Sequence, residues 1–455
     1  MKVLLTGGTG FIGNELGRKL VEQGHSVVCL TRDVERAKSK LSYPCEIFQW
    51  AGAGPVSKEA IHEVDAVVNM IGEGVADKNW SKERKQALRS SRIDATRDLV
   101  ESFEGAQTLK TFVSFSAVGY YGDRSDEILD EESTKGDGFL ADLCEDWENA
   151  AKAIVKSHPG VRLVIPRVGV VLGANQGFLD RLEPIFRSGV GGPLGSGKQF
   201  ISWIHIDDLI RFLSDSLKDE SIEGTYNLSA PHPVSNSELT RELEKAFQVM
   251  AKIPAPAFVL KIVFGEMSQA LLYSQRGLSA KRSVEHFKYP TLSEALGAIY
   301  GGLGKNEARF ESFLWVPKKP TEVWDFFSSE KNLEEITPKN LNFRVIGKST
   351  DEIEEGTLID YRLRIHGVPA AWRTRISLWN PSKEFVDEQL KGPYEKWHHH
   401  HGFKELAGGT LLTDCVHFKL PLGALGRVGG FAFVLSDVKK IFTYRAQMVT
   451  KKYHS

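Results

Sequence analysis

The sequence predicts an α/β fold, a doubly wound parallel sheet, followed by an α+β unit with an antiparallel sheet. Short β-rich runs alternate with helical segments up to about Gly173, and a glycine-rich turn follows the first run. The β-rich runs are Lys2–Leu5, Ser26–Leu30, Ala66–Met70, Thr111–Ser116 and Arg162–Val171. This alternation is typical of a parallel sheet with helices on both of its faces. After residue 307 apolar and polar residues alternate one by one, which predicts the antiparallel sheet.

The chain has 455 residues, more than one ordinary core contains, so we expect two or three domains. We place a first domain at 1–302, a glycine-rich linker at 303–306 and a second domain at 307–455. A helical tail is expected from Ser235 to about Tyr300 in the first domain. In the second, helices at Pro320–Glu330 and about Val434–Lys452 enclose the strands. A curved sheet around a long last helix commonly leaves a cavity between them.

Composition excludes several classes of function. A net charge of −1 and a pI near 6.9 provide no electrostatic basis for binding nucleic acid or an anionic membrane. The four cysteines have neither the spacing of a zinc site nor that of a disulfide framework. A strand is predicted from residue 2 onward, which leaves no room for a secretory signal, so we expect a cytoplasmic protein without membrane partners.

The first run leads into a Rossmann-type dinucleotide-binding turn. Its glycines allow a tight turn, close approach of a pyrophosphate and close packing of the next helix, whose N-terminus favours phosphate. The cofactor-binding residues predicted here are Thr6, Gly7, Thr9, Gly10, Phe11, Ile12 and Gly13. A strand and a helix on either side make this motif far more specific than the glycines alone.

The end of the second run indicates which dinucleotide binds. An NAD site usually has Asp or Glu at this point, whereas this chain has Thr31 and Arg32. A guanidinium suits the 2′-phosphate of NADP, so we predict NADP in preference to NAD, with both residues at the cofactor. Arg32 as a solvated turn residue is the alternative. Asp33 is a candidate cap for a helix at Val34–Leu41.

Residues after the Ala66–Met70 run are further candidates. Gly72 and Glu73 follow shortly after it, and Glu73 is a candidate cap on the following helix. That helix is expected to begin near Ser81 and to carry three arginines: Arg89, Arg92 and Arg97. Each is most simply explained as solvated or salt-bridged; the alternative is that one faces the cleft, since the spacing places Arg92 off a common solvent stripe.

Several stretches of residues 1–302 resemble extended and atypical short-chain dehydrogenase/reductases, in particular epimerase-family proteins of poorly defined activity. The stretches are Thr6–Gly13, Ser91–Thr96, Ser116–Gly122, Arg167–Gly173 and Ser202–Asp208. Residues from about 307 onward resemble the helix-grip domains of the Bet v 1/polyketide-cyclase superfamily, through Phe313–Pro317 and Glu322–Phe327. The resemblance implies NADP-linked chemistry on a small carbonyl or hydroxyl substrate, and a second domain that encloses a hydrophobic ligand. It also implies that Gly72 and Glu73 contact the adenosine side of the cofactor.

The chain departs from the first family at its catalytic pair. Ordinary members use Tyr-x-x-x-Lys on one helix, where the ammonium lowers the pKa of the phenol. No tyrosine here has lysine four residues later, and alignment on Glu148 places Leu140 and Cys144 at the two positions. Ser116 and Tyr121 are the remaining candidate catalytic groups, and Pro166 is predicted beside the nicotinamide. An equally good reading is that Ser116 and Tyr121 only shape the turn.

Four consecutive histidines, 398–401, lie in one predicted strand. Alternation would place His399 and His401 on one face, and two ligands are too few for zinc, so we predict no metal and a hydrogen-bonding role at a cavity. The nearby aromatic residues suit an apolar pocket or a plain core equally well.

The leading function is an NADP-dependent oxidoreductase or epimerase-like enzyme without the usual catalytic pair. The alternatives are a non-catalytic NADP(H) sensor coupled to ligand binding, and a scaffold without cofactor.

Overall fold

A computed structural model of the chain describes residues 1–421 and 423–454. Leu422 and Ser455 lie outside the described residues, so the predicted end of the second domain is not covered. Within the described residues no helix combines the length and the apolar character that crossing a membrane requires.

A Rossmann-like parallel sheet forms the first part of the chain, as predicted. Its strands run in the order Gly224–Leu228, Arg162–Val168, Thr111–Ser114, Ala66–Asn69, Lys2–Thr6, Ser26–Thr31 and Glu46–Gln49. A short extension, Ser116–Ala117, also pairs with Arg162–Val168. The strand order reverses beside Lys2–Thr6, which is where open α/β sheets leave a crevice for ligands at the carboxyl ends of their strands.

Helices cover both faces of this sheet because its strands are apolar on both sides. Val3 and Leu5 belong to one core, and Leu4 belongs to the other. The helices before residue 230 are Phe11–Glu22, Val34–Lys38, Lys58–Ile61, Lys82–Ser90, Ile93–Ser102, Phe139–Ser157, Gly177–Arg187 and Ile206–Ser216.

Two predicted elements are wrong in their extent. The run Arg162–Val171 divides at Gly169, and Val170–Leu172 pairs instead with Trp203–His205. The expected helical tail is broken into Asn236–Phe247, Ala257–Phe264, Gln269–Leu272 and Leu292–Tyr300. Prolines at positions 254 and 256 interrupt the tail because they cannot continue a helix. Three small two-stranded pairings complete this part: Phe200–Ile201 with Val234–Ser235, Trp203–His205 with Val170–Leu172, and Arg276–Gly277 with Ile128–Leu129.

A separate seven-stranded antiparallel sheet follows, again as predicted. Its strand order is Glu307–Val316, Gly409–Lys419, Lys396–Leu406, Glu384–Lys391, Val368–Asn380, Leu358–Ile365 and Arg344–Lys348. Short helices at Pro320–Phe327 and Glu330–Leu333 follow the first strand, and the helix Gly423–Tyr453 packs across the sheet through Leu435, Val438 and Phe442. That helix begins well before the predicted Val434, because the glycines near its start lower the helix propensity on which the prediction rests.

The two parts of the chain contact each other through side chains and, among the described residues, through one backbone hydrogen bond. The Trp315 amide donates to the Leu41 carbonyl at 3.0 Å, and Lys404 Nζ lies 2.8 Å from Glu22 Oε1. Lys439, on the long last helix, pairs with Asp180 on the helix Gly177–Arg187. The antiparallel sheet therefore packs beside the helix Phe11–Glu22, and the long last helix packs beside the helix that contains Asp180.

Candidate functional site

The glycine turn after Lys2–Thr6 is open at the sheet edge. Gly7 has a φ of +69°, its carbonyl accepts from the Gly10 amide at 3.0 Å, and both glycines are exposed. Gly13 packs directly against the backbone of Gly7 and Gly8, which leaves no space for a side chain there. Because no side chain caps the helix Phe11–Glu22 at Gly10, its first amides are available to an anion.

Buried side chains hold this turn in place. The Tyr43 hydroxyl donates to the Gly8 carbonyl at 3.2 Å, and Gly17 leaves room for the Tyr43 ring. Thr6, predicted as a cofactor residue, is buried: its hydroxyl donates to Asn69 Oδ1 at 2.8 Å and accepts from the Met70 amide at 2.9 Å. The Thr6 side chain thus joins two strands at the sheet edge. Thr9, Phe11 and Ile12 are half-buried.

Arg32 stands at the open end of the strand Ser26–Thr31, with 76% of its side chain exposed. The nearest carboxylate oxygen is Glu73 Oε1, 4.0 Å from Arg32 Nη1. The Lys40 ammonium lies in the same region: burial lowers its pKa most, and the charges of Arg36 and Arg32 lower it further. Positive charge is therefore concentrated at this edge of the crevice.

The residues around Arg32 follow the predicted turn. Thr31 Oγ1 accepts from the Asp33 amide at 3.3 Å, and Asp33 caps the helix by accepting from the Arg36 amide at 2.9 Å. The capped helix, Val34–Lys38, is shorter than the predicted segment. Arg32 is thus held at the start of a capped turn and projects from it.

Glu73 does not cap the following helix. Ser81 does so, by accepting from the Arg84 amide at 3.1 Å, and Glu73 pairs with the Arg84 side chain. The expectation of one helix carrying Arg89, Arg92 and Arg97 is also wrong, because Lys82–Ser90 ends before Arg92 and a second helix begins at Ile93.

Arg92 turns inward from this break and supports the loop of predicted cofactor residues. Its guanidinium donates to the Glu73 carbonyl at 2.7 Å and to the Leu88 carbonyl at 3.2 Å. Gly72 is exposed with its backbone against this guanidinium, and a Cβ there would be 2.8 Å from Arg92 Cζ. Arg89 and Arg97 pair with Asp146 and Asp94 as expected.

A buried hydrogen-bonded group lies at the carboxyl ends of the strands Thr111–Ser114 and Arg162–Val168. We call it the strand-end network; it consists of Ser116, Tyr121, Glu148, Arg167 and Asn227. Arg167 makes a bidentate ion pair with Glu148: Nε donates to Oε1 at 2.8 Å, and Nη2 donates to Oε2 at 3.0 Å. Only 6% of the Arg167 side chain and 1% of the Glu148 side chain are exposed. The Ser116 hydroxyl donates to Glu148 Oε1 at 2.8 Å.

The Tyr121 hydroxyl makes hydrogen bonds both as an acceptor and as a donor. It accepts from Arg167 Nη1 at 3.0 Å and lies 2.7 Å from both the Asp130 carbonyl and Asn227 Oδ1. Burial raises the pKa of Tyr121, although the Arg167 charge opposes this. Because a phenol has one proton, and both acceptors are internal, the network holds that proton within the protein.

The positions aligned with the family's catalytic pair adjoin the network. A Cβ at Gly119 would lie 3.6 Å from both Leu140 Cβ and Cys144 Sγ. Burial raises the pKa of Cys144 to about 11, with a further contribution from Glu148. Pro166 is buried inside the strand, paired with Tyr226, and not at the strand's open end.

Sequence reasoning singled out Ser116 and Tyr121 but missed the ion pair that holds them. A signal was present, since Arg167 follows an apolar run, 163–166, inside a buried strand, and a charged residue there requires a partner. In the sequence, Glu148 marked only how its helix aligns with the family. That Glu148 is the partner of Arg167 is decided by the packing of the helix Phe139–Ser157 against the strand Arg162–Val168.

A second candidate site is a cavity of about 470 Å³ between the antiparallel sheet and the helix Gly423–Tyr453. Its walls are mainly apolar and aromatic, and include Tyr361, Trp372, Ile376, Trp379 and Trp397. Polar side chains gather at one place on this wall. We call them, together with one carboxylate behind them, the cavity cluster: Asp387, His399, His401, Asp414 and Arg445.

The cluster arises from alternation along three neighbouring strands. Asp387 is paired with His399 and Asp414 with His401, and both histidines are buried on the face toward the helix. The predicted opposite face holds His398 and His400, with His400 Nε2 2.8 Å from Glu384 Oε2. The sequence alone did not identify the two carboxylates, because strand pairing decides them.

Charge within the cluster is balanced by direct contacts. Arg445 Nη2 lies 3.2 Å from Asp414 Oδ1. Burial lowers the pKa of His399, but hydrogen bonds to Asp387 and Asp414 outweigh it and leave that pKa raised. Burial lowers the pKa of His401, and the neighbouring His399 lowers it further. The cluster thus presents imidazole and carboxylate groups to an apolar cavity.

The strand-end network generates a stability prediction. Replacing Glu148 by Gln leaves the Arg167 charge buried without its counter-ion, and we expect a loss of about 3–5 kcal/mol in the free energy of unfolding. The matched control is Glu145→Gln on the same helix, which removes a half-exposed pair with Lys135 and should cost about 0–1 kcal/mol. Urea unfolding of the full chain measures both; equal losses would contradict the role given to the pair.

Comparison with known proteins places the first part of the chain in a family. The sequence pattern of the NAD dependent epimerase/dehydratase family matches residues 3–229, and a domain of unknown function matches residues 255–299. An epimerase family protein of Mycobacterium tuberculosis is 36% identical over 298 residues, which cover 65% of this chain and 96% of that protein. A chloroplastic SDR39U1 homolog of Arabidopsis thaliana is 36% identical over 306 residues, covering 66% of this chain and 86% of that protein.

Solved structures match the same part of the chain. Human epimerase family protein SDR39U1, crystallised with NADPH, has a TM-score of 0.59 and 32% identity, covering 67% of this chain and all of that one. A nucleoside-diphosphate sugar epimerase from Corynebacterium glutamicum has a TM-score of 0.53 and 33% identity, covering 66% of this chain and 58% of that one. The identity to relatives matched over almost their whole length, together with the parallel sheet and its glycine turn, shows that this chain belongs to the epimerase family.

Proposed function

We propose that residues 1–302 form a domain that binds NADP(H) in the crevice of the parallel sheet. The pyrophosphate lies against the glycine turn, where the uncapped helix Phe11–Glu22 offers its amides. The 2′-phosphate lies at Arg32. The presence of NADPH in the related human structure supports this assignment.

The observation that carries the proposal is the exposed Arg32 at the end of the strand Ser26–Thr31. An acidic residue at this position would bond the ribose of NAD and repel a 2′-phosphate, whereas a guanidinium attracts the phosphate. The charges of Arg36 and Lys40 in the same region act in the same direction. Glu73 is held by Arg84, which leaves the outer side of Arg32 open to solvent.

Replacing Arg32 by Glu tests this assignment. We expect the affinity for NADPH to fall by about 10- to 100-fold, because charge-assisted hydrogen bonds worth about 1.5–3 kcal/mol are lost. The affinity for NADH should stay within about twofold, since that cofactor lacks the phosphate. Fluorescence titration measures both affinities, and Arg344→Glu, an exposed arginine of the antiparallel sheet, is the charge-matched control. Unchanged discrimination in Arg32→Glu would refute the assignment.

We further propose that the chain exchanges hydride with a small carbonyl or hydroxyl substrate. When bound, NADP(H) supplies the hydride; the chain supplies the crevice and the hydroxyl groups beside it. Ser116 is the candidate to orient a substrate oxygen, because it lies at the strand ends and is itself oriented by Glu148. Proton transfer in such an enzyme does not use the Tyr–Lys pair of the wider family.

One observation favours a second function, a non-catalytic NADP(H) sensor. The Tyr121 proton is held between internal acceptors, the Ser116 proton is directed to Glu148, and Leu140 cannot titrate. In this case occupancy by NADP(H) would change how the antiparallel sheet and its helix hold a ligand. The pair Lys439–Asp180 connects the two parts of the chain.

Isotope exchange separates these two functions. Incubating the full chain with deuterated NADPH and a panel of ketones and sugar nucleotides should transfer deuterium to product if the chain is an oxidoreductase. Transfer should fall at least tenfold in Ser116→Ala, a barrier increase of about 1.4 kcal/mol, while Ser90→Ala on a neighbouring helix leaves it unchanged. No transfer to any compound, with NADPH affinity intact, would favour the sensor.

For residues 307–455 we propose a helix-grip domain of the Bet v 1/polyketide-cyclase type whose cavity binds an amphipathic small molecule. The aromatic walls favour an apolar body, and the cavity cluster favours a polar end. The seven antiparallel strands and the long last helix that packs on them support this proposal.

Filling the cavity tests this binding role. Ile441 lines the cavity from the last helix, and Ile441→Trp should weaken binding of the fluorescent probe anilinonaphthalene sulfonate at least tenfold, about 1.4 kcal/mol. Ile346 is exposed on the strand Arg344–Lys348 and does not line the cavity, so Ile346→Trp is the matched control and should leave binding unchanged. Equal binding by both variants would place the probe outside the cavity.

A further inference from the structure

Three possible ligand atoms meet at the polar end of the cavity. Asp387 Oδ2 lies 3.0 Å from His401 Nε2 and 3.3 Å from His399 Nδ1. These three residues each offer one ligand atom, and the three atoms lie within 4.8 Å of one another. All three residues line the cavity.

The far nitrogens of both imidazoles lie beside one carboxylate oxygen. His399 Nε2 and His401 Nδ1 are each 3.1 Å from Asp414 Oδ1, and the His399 contact has hydrogen-bond geometry. With His399 Nε2 donating to Asp414, the lone pair of His399 Nδ1 is directed toward Asp387, and metal binding at His401 Nε2 requires the proton of that ring to lie on Nδ1. A carboxylate behind a ligating histidine is the common way in which proteins fix the tautomer and the orientation of the ring.

Arg445 completes this arrangement from the long last helix. Its Nη2 lies 3.2 Å from Asp414 Oδ1; at 3.1 Å from His401 Nδ1, it donates to that nitrogen only while Nδ1 is unprotonated. Donation to Asp414 holds that carboxylate ionised and leaves it as the acceptor for the imidazoles. Phe385 stacks on the His401 ring at a centroid distance of 4.0 Å, which limits rotation of that ring.

We propose that Asp387, His399 and His401 form a binding site for a divalent transition metal ion of the Zn²⁺ class, oriented by Asp414 and Arg445. Tetrahedral zinc with bonds of about 2.1 Å separates its ligand atoms by about 3.4 Å. The separations of 3.0 and 3.3 Å around Asp387 Oδ2 approach this value. Two imidazoles and one carboxylate are a ligand set that zinc uses in catalytic sites.

The remaining coordination position faces the cavity, because all three ligands line it. The metal, two carboxylates and one guanidinium together carry a single positive charge when both imidazoles are neutral. An ionised oxygen or sulfur atom of a cavity ligand, or a hydroxide, is therefore favoured there. The metal site stands independently of the proposed NADP(H) site.

Cobalt binding tests the site in the full chain. The purified protein is stripped with a chelator and titrated with Co²⁺, whose visible absorption is intense in four- and five-coordinate sites. We expect one Co²⁺ per chain, displaced by one equivalent of Zn²⁺. Asp387→Asn and His401→Gln should lose this absorption, and Asp414→Asn should weaken binding by about 10- to 100-fold.

The other two of the four consecutive histidines, 398–401, provide the control for the cobalt titration. His398→Ala and His400→Ala remove imidazoles from the opposite strand face and should keep the full absorption. Loss of absorption in these two variants with retention in Asp387→Asn would overturn the proposal, as would absence of the band in the unmodified chain. X-ray absorption can be measured on the zinc-loaded, unmodified chain, so this test does not depend on whether a variant folds. Two imidazoles in the zinc shell would support the site, and a shell without imidazole would overturn it.

Discussion

The buried ion pair between Arg167 and Glu148 is the interaction on which the parallel-sheet site depends. It joins the strand Arg162–Val168 to the helix Phe139–Ser157 with two nearly parallel hydrogen bonds. A charged group in this position is costly to bury unless it is paired, so the pair determines how helix and strand pack. Ser116 and Tyr121 are oriented through the same two side chains.

The ion pair also lies close to the positions that alignment gives to the family's catalytic pair. In the wider family a tyrosine and a lysine on the helix exchange a proton with substrate. Here alignment on Glu148 places Leu140 and Cys144 at those positions, and the hydroxyl groups of Ser116 and Tyr121 donate to internal acceptors. The crevice keeps the glycine turn, while Leu140 and Cys144 do not form a phenol–ammonium pair.

The long helix Gly423–Tyr453 has a role in both parts of the molecule. Arg445 contacts Asp414 at the cavity, and Lys439, less than two turns earlier, pairs with Asp180. Asp180 lies on the helix Gly177–Arg187, whose first residue packs against the Phe11 ring beside the glycine turn. The last helix therefore contacts both the cavity and a helix that packs beside the glycine turn.

By itself, the sequence determined the fold class, the glycine turn and the position of Arg32, because these depend on local periodicity and on residue types next to one another. It also determined that His399 and His401 share one strand face, since side chains alternate along any strand. Only the tertiary structure decided which groups meet. Arg167 and Glu148 are 19 residues apart, Asp387 and Asp414 come from strands on either side of the histidines, and the break before Arg92 turns that side chain inward. Buried charges are satisfied by neighbours in space, and the pairing of strands and the packing of helices select those neighbours.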